Sequence, residues 1–113
     1  MSWWLRAENE GSTSIAPSIL SADVARLGEE VGAIDSAGAD LVHFDVMDCH
    51  FVDNLTYGPH VAKSVHRVTD LPLDCHLMVS DPGTYAERFM DYGATCVSFH
   101  WEVDCDLRQI AGR

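Results

Sequence analysis

Two histidines and one aspartate have the residue types and spacing to bind a divalent metal ion. If the segment Leu41–Asp48 is extended, its side chains alternate between two faces, so His43 and Asp45 point the same way. The segment Leu73–Val79 repeats this pattern and contributes His76. Neutral imidazoles and a carboxylate suit zinc, iron, manganese or cobalt, and three protein ligands leave room for a substrate oxygen. A lone interior histidine is more often a core residue, so the prediction rests on all three residues together.

Three segments share an alternation between one apolar and one polar face. The apolar faces carry Val42, Phe44 and Val46, then Leu73, Cys75, Leu77 and Val79, then Val97, Phe99 and Trp101. The polar faces carry His43, Asp45 and Met47, then Asp74, His76 and Met78, then Ser98, His100 and Glu102. Such a polar face requires a binding site or water to satisfy it. Cys75 is therefore interpreted as core, and His50, His60 and His66, which lie outside these segments, as surface residues.

The remaining sequence supplies the elements that would position these faces. The predicted strands are Ile15–Ser21, Leu41–Asp48, Leu73–Val79 and Cys96–Glu102. Between them, apolar residues recur at helical spacing at Val24, Leu27, Val31 and Ile34, at Val61, Val65 and Val68, and at Tyr85 and Phe89, and a fourth helix is predicted through Leu107 and Ile110. This alternation with short connections predicts an α/β fold whose parallel strands are joined by right-handed crossovers.

Capping signals agree with these boundaries. Ser21 or Asp23 is predicted to cap the first helix, and Asp81 followed by Pro82 predicts the cap and first position of the third. Gly38 and Gly93 each precede an alanine at a predicted helix end, where glycine can adopt the left-handed conformation that stops a helix.

Composition limits the class of protein. The chain has 113 residues, enough for one domain, and 18 acidic against 7 basic residues give a formal charge of −11. Because nucleic-acid affinity depends on neutralising phosphates with Lys and Arg, a nucleic-acid partner is not expected. No apolar run approaches the about 18 to 20 residues that a membrane crossing needs. Four cysteines without paired CxxC spacing, and no export signal at the start, predict reduced thiols and a cytoplasmic location. Residues 1–14 are interpreted as an N-terminal tail.

Several motifs resemble ribulose-phosphate 3-epimerases. They are APSILSAD at Ala16–Asp23, GADLVHFDVMDCHFVDNLTYGP at Gly38–Pro59, LPLDCHLMV at Leu71–Val79 and VSFHWE at Val97–Glu102. The resemblance runs from about Ile15 to the end, and HFDVMD is its most specific string. It implies a (β/α)8 TIM barrel that interconverts D-ribulose 5-phosphate and D-xylulose 5-phosphate in carbohydrate metabolism, in the pentose phosphate pathway or the Calvin cycle.

The resemblance also implies roles for individual residues. His43, Asp45 and His76 match metal ligands, and Asp45 matches one of two acid–base carboxylates. Ser18 matches a serine that contacts the substrate, and Met47 and Met78 match methionines beside the planar enediolate intermediate. His43 and His76 border the substrate as well. The implied reaction removes a proton on one face of the sugar carbon and returns one on the other face.

The sequence departs from the family in length and in one loop. A barrel of eight β/α units needs about 250 residues, so residues 15–113 are interpreted as the N-terminal half, about the first four units. The second carboxylate and the phosphate-binding turns of the family belong to later strands. Three interpretations stay open. The chain is part of a ribulose-phosphate 3-epimerase, or it is an inactive metal-binding or partner-binding half-barrel, or it is part of an epimerase that acts on a related phosphosugar.

An incomplete barrel also exposes sheet edges, which predicts a homo-oligomer. Within the loop after the second predicted strand, Cys49 and Asp53 replace the glycine and proline that are usual in the family. A left-handed backbone at Cys49 would be strained by its side chain.

Overall fold

A computed structural model describes residues 11–112 of the chain. Within this range the strands are β1 (Val42–Met47), β2 (Leu73–Met78) and β3 (Cys96–Phe99), which form a parallel sheet in the order β1-β2-β3. The helices are α1 (Leu27–Ser36), α2 (Pro59–His66), α3 (Pro82–Asp91) and α4 (Leu107–Ala111). The predicted alternation of parallel strands and helices is confirmed. Residues 1–10 of the predicted tail lie outside the described residues, and residues 11–14 are exposed.

The core lies on one face of the sheet. Every apolar-face residue of β1 and β2 is buried, including Phe44 and Cys75, whose exposed fractions are 0%. Helical residues such as Val31, Val65 and Phe89 pack against this face. The alternate residues of both strands are only partly buried, so the burial pattern follows the alternation read from the sequence. The sheet is therefore covered by helices on its apolar face and open on its polar face.

The first predicted strand, Ile15–Ser21, is mostly wrong. The chain runs beside β1 only as far as a single parallel bridge between Ser18 and His43, and a 3-10 turn occupies Ile19–Ser21. The Ser18 side chain accepts a hydrogen bond from the Leu20 amide, which caps this turn. This local alternative satisfies backbone groups that a longer strand would have paired, so the strand stops.

The predicted strand Cys96–Glu102 is too long. β3 ends at Phe99, and turns follow at residues 101–105. Trp101, which was predicted on the apolar face, is 79% exposed. Alternation alone does not show where pairing with the neighbouring strand stops, because that depends on the partner's length.

The predicted helix ends are largely correct. The Asp81 side chain accepts a hydrogen bond from the Thr84 amide at the start of α3, with Pro82 in the first turn. Asp23 caps a 3-10 turn at Val24–Arg26 rather than α1 itself, which begins at Leu27. No helix within residues 11–112 has the length and apolar character needed to span a membrane.

Three residues have backbones in the left-handed region at important turns. Gly38 and Gly93 follow α1 and α3 with φ of 91° and 104°, which confirms their predicted role. At Gly93, a Cβ atom would lie 2.7 Å from Cγ of His66 on α2, so a side chain there would also require His66 to move. Cys49 has φ of 61° after β1, which confirms the strained conformation expected there.

Candidate metal centre

His43, Asp45 and His76 converge on one point of the open face. The register of β1 and β2 places Asp45 beside His76, and His43 lies two residues before Asp45 on the same face. Nε2 of His43 and Nδ1 of His76 each lie 3.3 Å from Oδ1 of Asp45. One ligand atom from each residue lies within 4.8 Å of those from the other two. This donor set fits a divalent metal ion, because neutral imidazoles and a carboxylate are common zinc, iron and manganese ligands.

Asp45 is held ionised by its neighbours. Partial burial acts to raise the pKa of Asp45, but the Ser18 hydroxyl and the His43 and His76 imidazoles together hold it below its ordinary value. The Ser18 hydroxyl donates a hydrogen bond to Oδ2 of Asp45, and Oδ1 faces the two imidazoles. An ionised carboxylate in this position can act as a metal ligand or as a proton acceptor.

Each imidazole also has a partner on its far side. Nδ1 of His43 lies 2.7 Å from Oδ2 of Asp74, its neighbour on β2. Nε2 of His76 lies 2.7 Å from Nε2 of His100, which follows β3. All of these side chains are partly buried on the open face. The rings are thus contacted at both nitrogens.

The loop after β1 is tied back to the strand that carries Asp45. The Thr56 hydroxyl donates to the Asp45 carbonyl oxygen at 2.9 Å and accepts from the Met47 amide at 3.0 Å. Asp48 accepts hydrogen bonds from the backbone amides of His50, Phe51 and Ser80, so it links this loop to the loop after β2. The loop geometry beside the site is therefore fixed by side-chain contacts.

The other predicted site residues surround the same face. Met47 and Met78 are register partners at the carboxyl ends of β1 and β2, and both are partly buried. Ser18 reaches the cluster through Asp45. His50, His60 and His66 are exposed and lie outside the cluster, as expected.

Sequence reasoning did not assign roles to Asp74, His100 or Thr56. Alternation placed Asp74 and His100 on the polar face, but their pairing depends on the strand register, which the sequence does not show. A signal was present in Asp74, because it stands two residues before His76 on the same face. Thr56 lies eleven residues from Asp45 in a loop, and no periodic pattern marks it.

Comparison with known proteins gives consistent matches. The Ribulose-phosphate 3 epimerase family matches residues 14–112. The chain is 56% identical over 98 residues to "Ribulose-phosphate 3-epimerase 2" of Cupriavidus necator, covering 87% of this chain and 41% of that protein. It is 52% identical over 89 residues to "Ribulose-phosphate 3-epimerase" of Bacillus subtilis, covering 79% of this chain and 41% of that protein.

A third relative extends these matches to another bacterial group. The chain is 51% identical over 97 residues to "Ribulose-phosphate 3-epimerase" of Mycobacterium tuberculosis (strain ATCC 25618 / H37Rv), covering 86% of this chain and 42% of that protein. The chain thus spans about two fifths of the length of these curated relatives. The family is metal-dependent and folds as a TIM barrel, which agrees with the His/Asp/His cluster and with the parallel sheet and its helices. The chain belongs to the ribulose-phosphate 3-epimerase family.

Proposed function

We propose that this chain carries the metal-binding part of an isomerase that interconverts D-ribulose 5-phosphate and D-xylulose 5-phosphate. The observation that carries the proposal is the convergence of His43, Asp45 and His76 within 4.8 Å on the open face of the sheet. Membership of the family makes the epimerase reaction the first expectation for such a site. The relatives, which are named ribulose-phosphate 3-epimerases, support the same reaction.

His43, Asp45 and His76 would hold the metal, which is Zn, Fe, Mn or Co. When bound, a divalent ion supplies charge that stabilises the negative oxygens of an enediolate. Asp45, held ionised by Ser18 and the imidazoles, accepts the proton from the sugar carbon on one face. A second carboxylate returns a proton on the opposite face and inverts the centre. Within the family that carboxylate belongs to a later strand.

The remaining predicted residues would bind the phosphosugar. Ser18 donates to Asp45 and would contact the substrate beside it. Met47 and Met78 would provide an apolar surface against the planar intermediate, because they are paired at the carboxyl ends of neighbouring strands. His43 and His76 would border the substrate from the metal side.

The metal site can be tested on the 113-residue chain with Zn²⁺ or Co²⁺. We expect one bound ion and a loss of affinity of at least about 10-fold in His43→Ala, because one of three ligands is removed. The matched control is His60→Ala, in which an exposed histidine outside the cluster is removed and binding is unchanged. If the unaltered chain binds neither ion, the metal site is refuted.

The reaction can be tested in a chimera in which this chain replaces the matching 41% of the Bacillus subtilis relative. We expect metal-dependent exchange of the proton at carbon three and interconversion of the two sugars. Asp45→Asn should lower turnover by about 100-fold or more, whereas Asp70→Asn, at an exposed position, should not. The 113-residue chain alone should show turnover at or near zero.

One alternative function is an inactive metal-binding or partner-binding half-barrel. A chimera that folds and binds metal without turnover would favour this alternative, and clear turnover by the chain alone would exclude it. A related phosphosugar as substrate would show as turnover of that sugar only.

Three broader expectations accompany the proposal. The strongly acidic composition disfavours a nucleic-acid partner, and membership of the family supports a small-molecule phosphosugar substrate. A cytoplasmic location is proposed from the reduced-thiol pattern of the sequence. A homo-oligomer is proposed from the open edge that β3 presents within the described sheet.

A further inference from the structure

The two metal-site histidines use different ring nitrogens. Nε2 of His43 faces Asp45, whereas His76 faces the same carboxylate with Nδ1. A neutral imidazole has a proton on one nitrogen and a lone pair on the other, and only the lone pair can bind a metal. His43 must therefore carry its proton on Nδ1 and His76 on Nε2. The site requires opposite tautomers at its two histidines.

We propose that Asp74 and His100 are positioning residues that fix the orientations of the two metal-site rings, and that Asp74 also selects the tautomer of His43. The inference rests on the proposed metal site and extends it to residues that do not contact the ion. A hydrogen bond at the outer nitrogen of a metal-binding histidine sets its tautomer and orientation. Asp74 occupies that position for His43, and His100 occupies it for His76.

Asp74 contacts His43, the histidine that needs the less common tautomer. A free histidine side chain favours the proton on Nε2, so His43 needs an acceptor to hold the proton on Nδ1. Oδ2 of Asp74 lies 2.7 Å from that nitrogen, and a carboxylate can only accept. Asp74 is also fixed from β3, because it lies in register with Cys96. Burial raises the pKa of the Cys96 thiol, and the hydrogen bond to Asp74 raises it further, so this donor keeps its proton.

His100 acts on His76 by holding the orientation of its ring. Nε2 of His100 lies 2.7 Å from Nε2 of His76, so one nitrogen must donate and the other accept. Oε2 of Glu102 lies 3.6 Å from Nδ1 of His100, on the other side of that ring. The Phe51 ring lies against His100, with 4.9 Å between ring centroids, and limits its rotation. The contact between the two Nε2 atoms thus holds the His76 ring with Nδ1 toward the cluster.

The tautomers can be measured directly by ¹⁵N NMR of the histidine rings in the metal-free chain, at a pH where both rings are neutral. We expect His43 to be protonated on Nδ1, because Oδ2 of Asp74 is the nearer carboxylate oxygen. In Asp74→Ala, His43 should shift to the Nε2-protonated form, and in Asp74→Asn it should stay as it is, since the amide oxygen still accepts. Nε2 protonation of His43 in the unaltered chain would overturn the proposal.

Metal affinity gives a second readout, with Zn²⁺ or Co²⁺ as the probe. Asp74→Ala should weaken binding about 10- to 100-fold and Asp74→Asn less, while the exposed-site control Asp70→Ala should bind normally. His100→Ala should also weaken binding, with His60→Ala as its control. If these variants bind as tightly as the unaltered chain, the inference fails although the metal site stands. If the unaltered chain binds no metal, the proposed function fails and the tautomers alone decide this inference.

Discussion

At the residue scale, the left-handed backbone of Cys49, beside the candidate site, lowers the stability of the fold. A residue with a side chain loses about 1 to 2 kcal/mol in this region, whereas glycine adopts it freely. A change to glycine would relieve this strain. Glycine also loses more chain entropy on folding, by roughly 0.5 to 1 kcal/mol, which offsets part of the stability gained. The strain is therefore larger than the offset.

We predict that Cys49→Gly raises the free energy of unfolding by about 0.5 to 1 kcal/mol. Urea denaturation of the two proteins measures the difference. Cys49→Ala is the control, because it removes the exposed thiol and keeps the strained backbone, and it should leave stability nearly unchanged. An equal gain in both variants would assign the effect to the thiol instead.

The residues of the candidate site were predictable to different degrees. His43, Asp45 and His76 could be grouped because alternation along a strand is a local property of the sequence. Asp74 and His100 could be placed on the right face, but their contacts depend on how β1, β2 and β3 are aligned. Local pattern therefore predicts which face a side chain occupies, and register determines what it touches.

At the element scale, Asp48 joins the loops after β1 and β2. Slight burial acts to raise the pKa of Asp48, but hydrogen bonds from the Ser80, Phe51 and His50 amides hold it below its ordinary value of 3.8. The pKa of Asp81, the cap of α3, is lowered by its hydrogen bonds with Thr84. Since both carboxyls have lower pKa values in the folded state, they stabilise the fold when ionised.

We predict that stability falls as the pH drops through about 4 and below. A depressed folded pKa contributes stability above the unfolded value of 3.8, and this is lost as the folded pKa is passed. Denaturant unfolding at a series of pH values measures the loss. Asp48→Asn should be less stable than the unaltered chain at neutral pH, and its free energy of unfolding should fall less on acidification. If the stability of that variant falls as steeply with decreasing pH as that of the unaltered chain, Asp48 does not contribute to the acid sensitivity.

The opposite faces of β2 should differ in their effect on stability. Leu77 is 1% exposed against the helices, whereas its neighbour Met78 lies on the open face. We predict that Leu77→Ala lowers the free energy of unfolding by about 2 to 5 kcal/mol and Met78→Ala by less than about 1. Urea denaturation of both variants is the measurement. Similar losses would mean that the open face is covered in solution.

The first and last predicted strands show why element boundaries were less predictable than faces. In Ile15–Ser21, a side-chain cap at Ser18 favours a 3-10 turn over further pairing. In Cys96–Glu102, β3 ends at Phe99, two residues before the exposed Trp101. Both boundaries were set by hydrogen-bond partners that periodicity does not contain.

At the scale of the whole molecule, the described sheet is closed by helices on one side only, and β3 forms one of its edges. An unpaired edge presents amide and carbonyl groups to a second chain. The formal charge of −11 opposes such pairing through repulsion, which salt screens. Edge pairing and repulsion therefore act in opposite directions.

We predict concentration-dependent association of the 113-residue chain that becomes stronger as salt is added. Analytical ultracentrifugation at low and high salt measures it, and hydrogen exchange should show slower exchange of β3 amides in the associated sample. A monomer at every concentration and salt tested would contradict the proposed homo-oligomer.

Gly93 shows that tolerance to mutation does not follow distance from the chemistry. Its backbone has φ of 104°, and a Cβ there would overlap the His66 ring on α2. Any replacement would strain this backbone and force the His66 side chain to move, on the side of the sheet away from the histidine cluster. A saturation mutagenesis screen would therefore mark position 93 among the least permissive, and a reader of that screen could mistake a purely steric requirement for a chemical one.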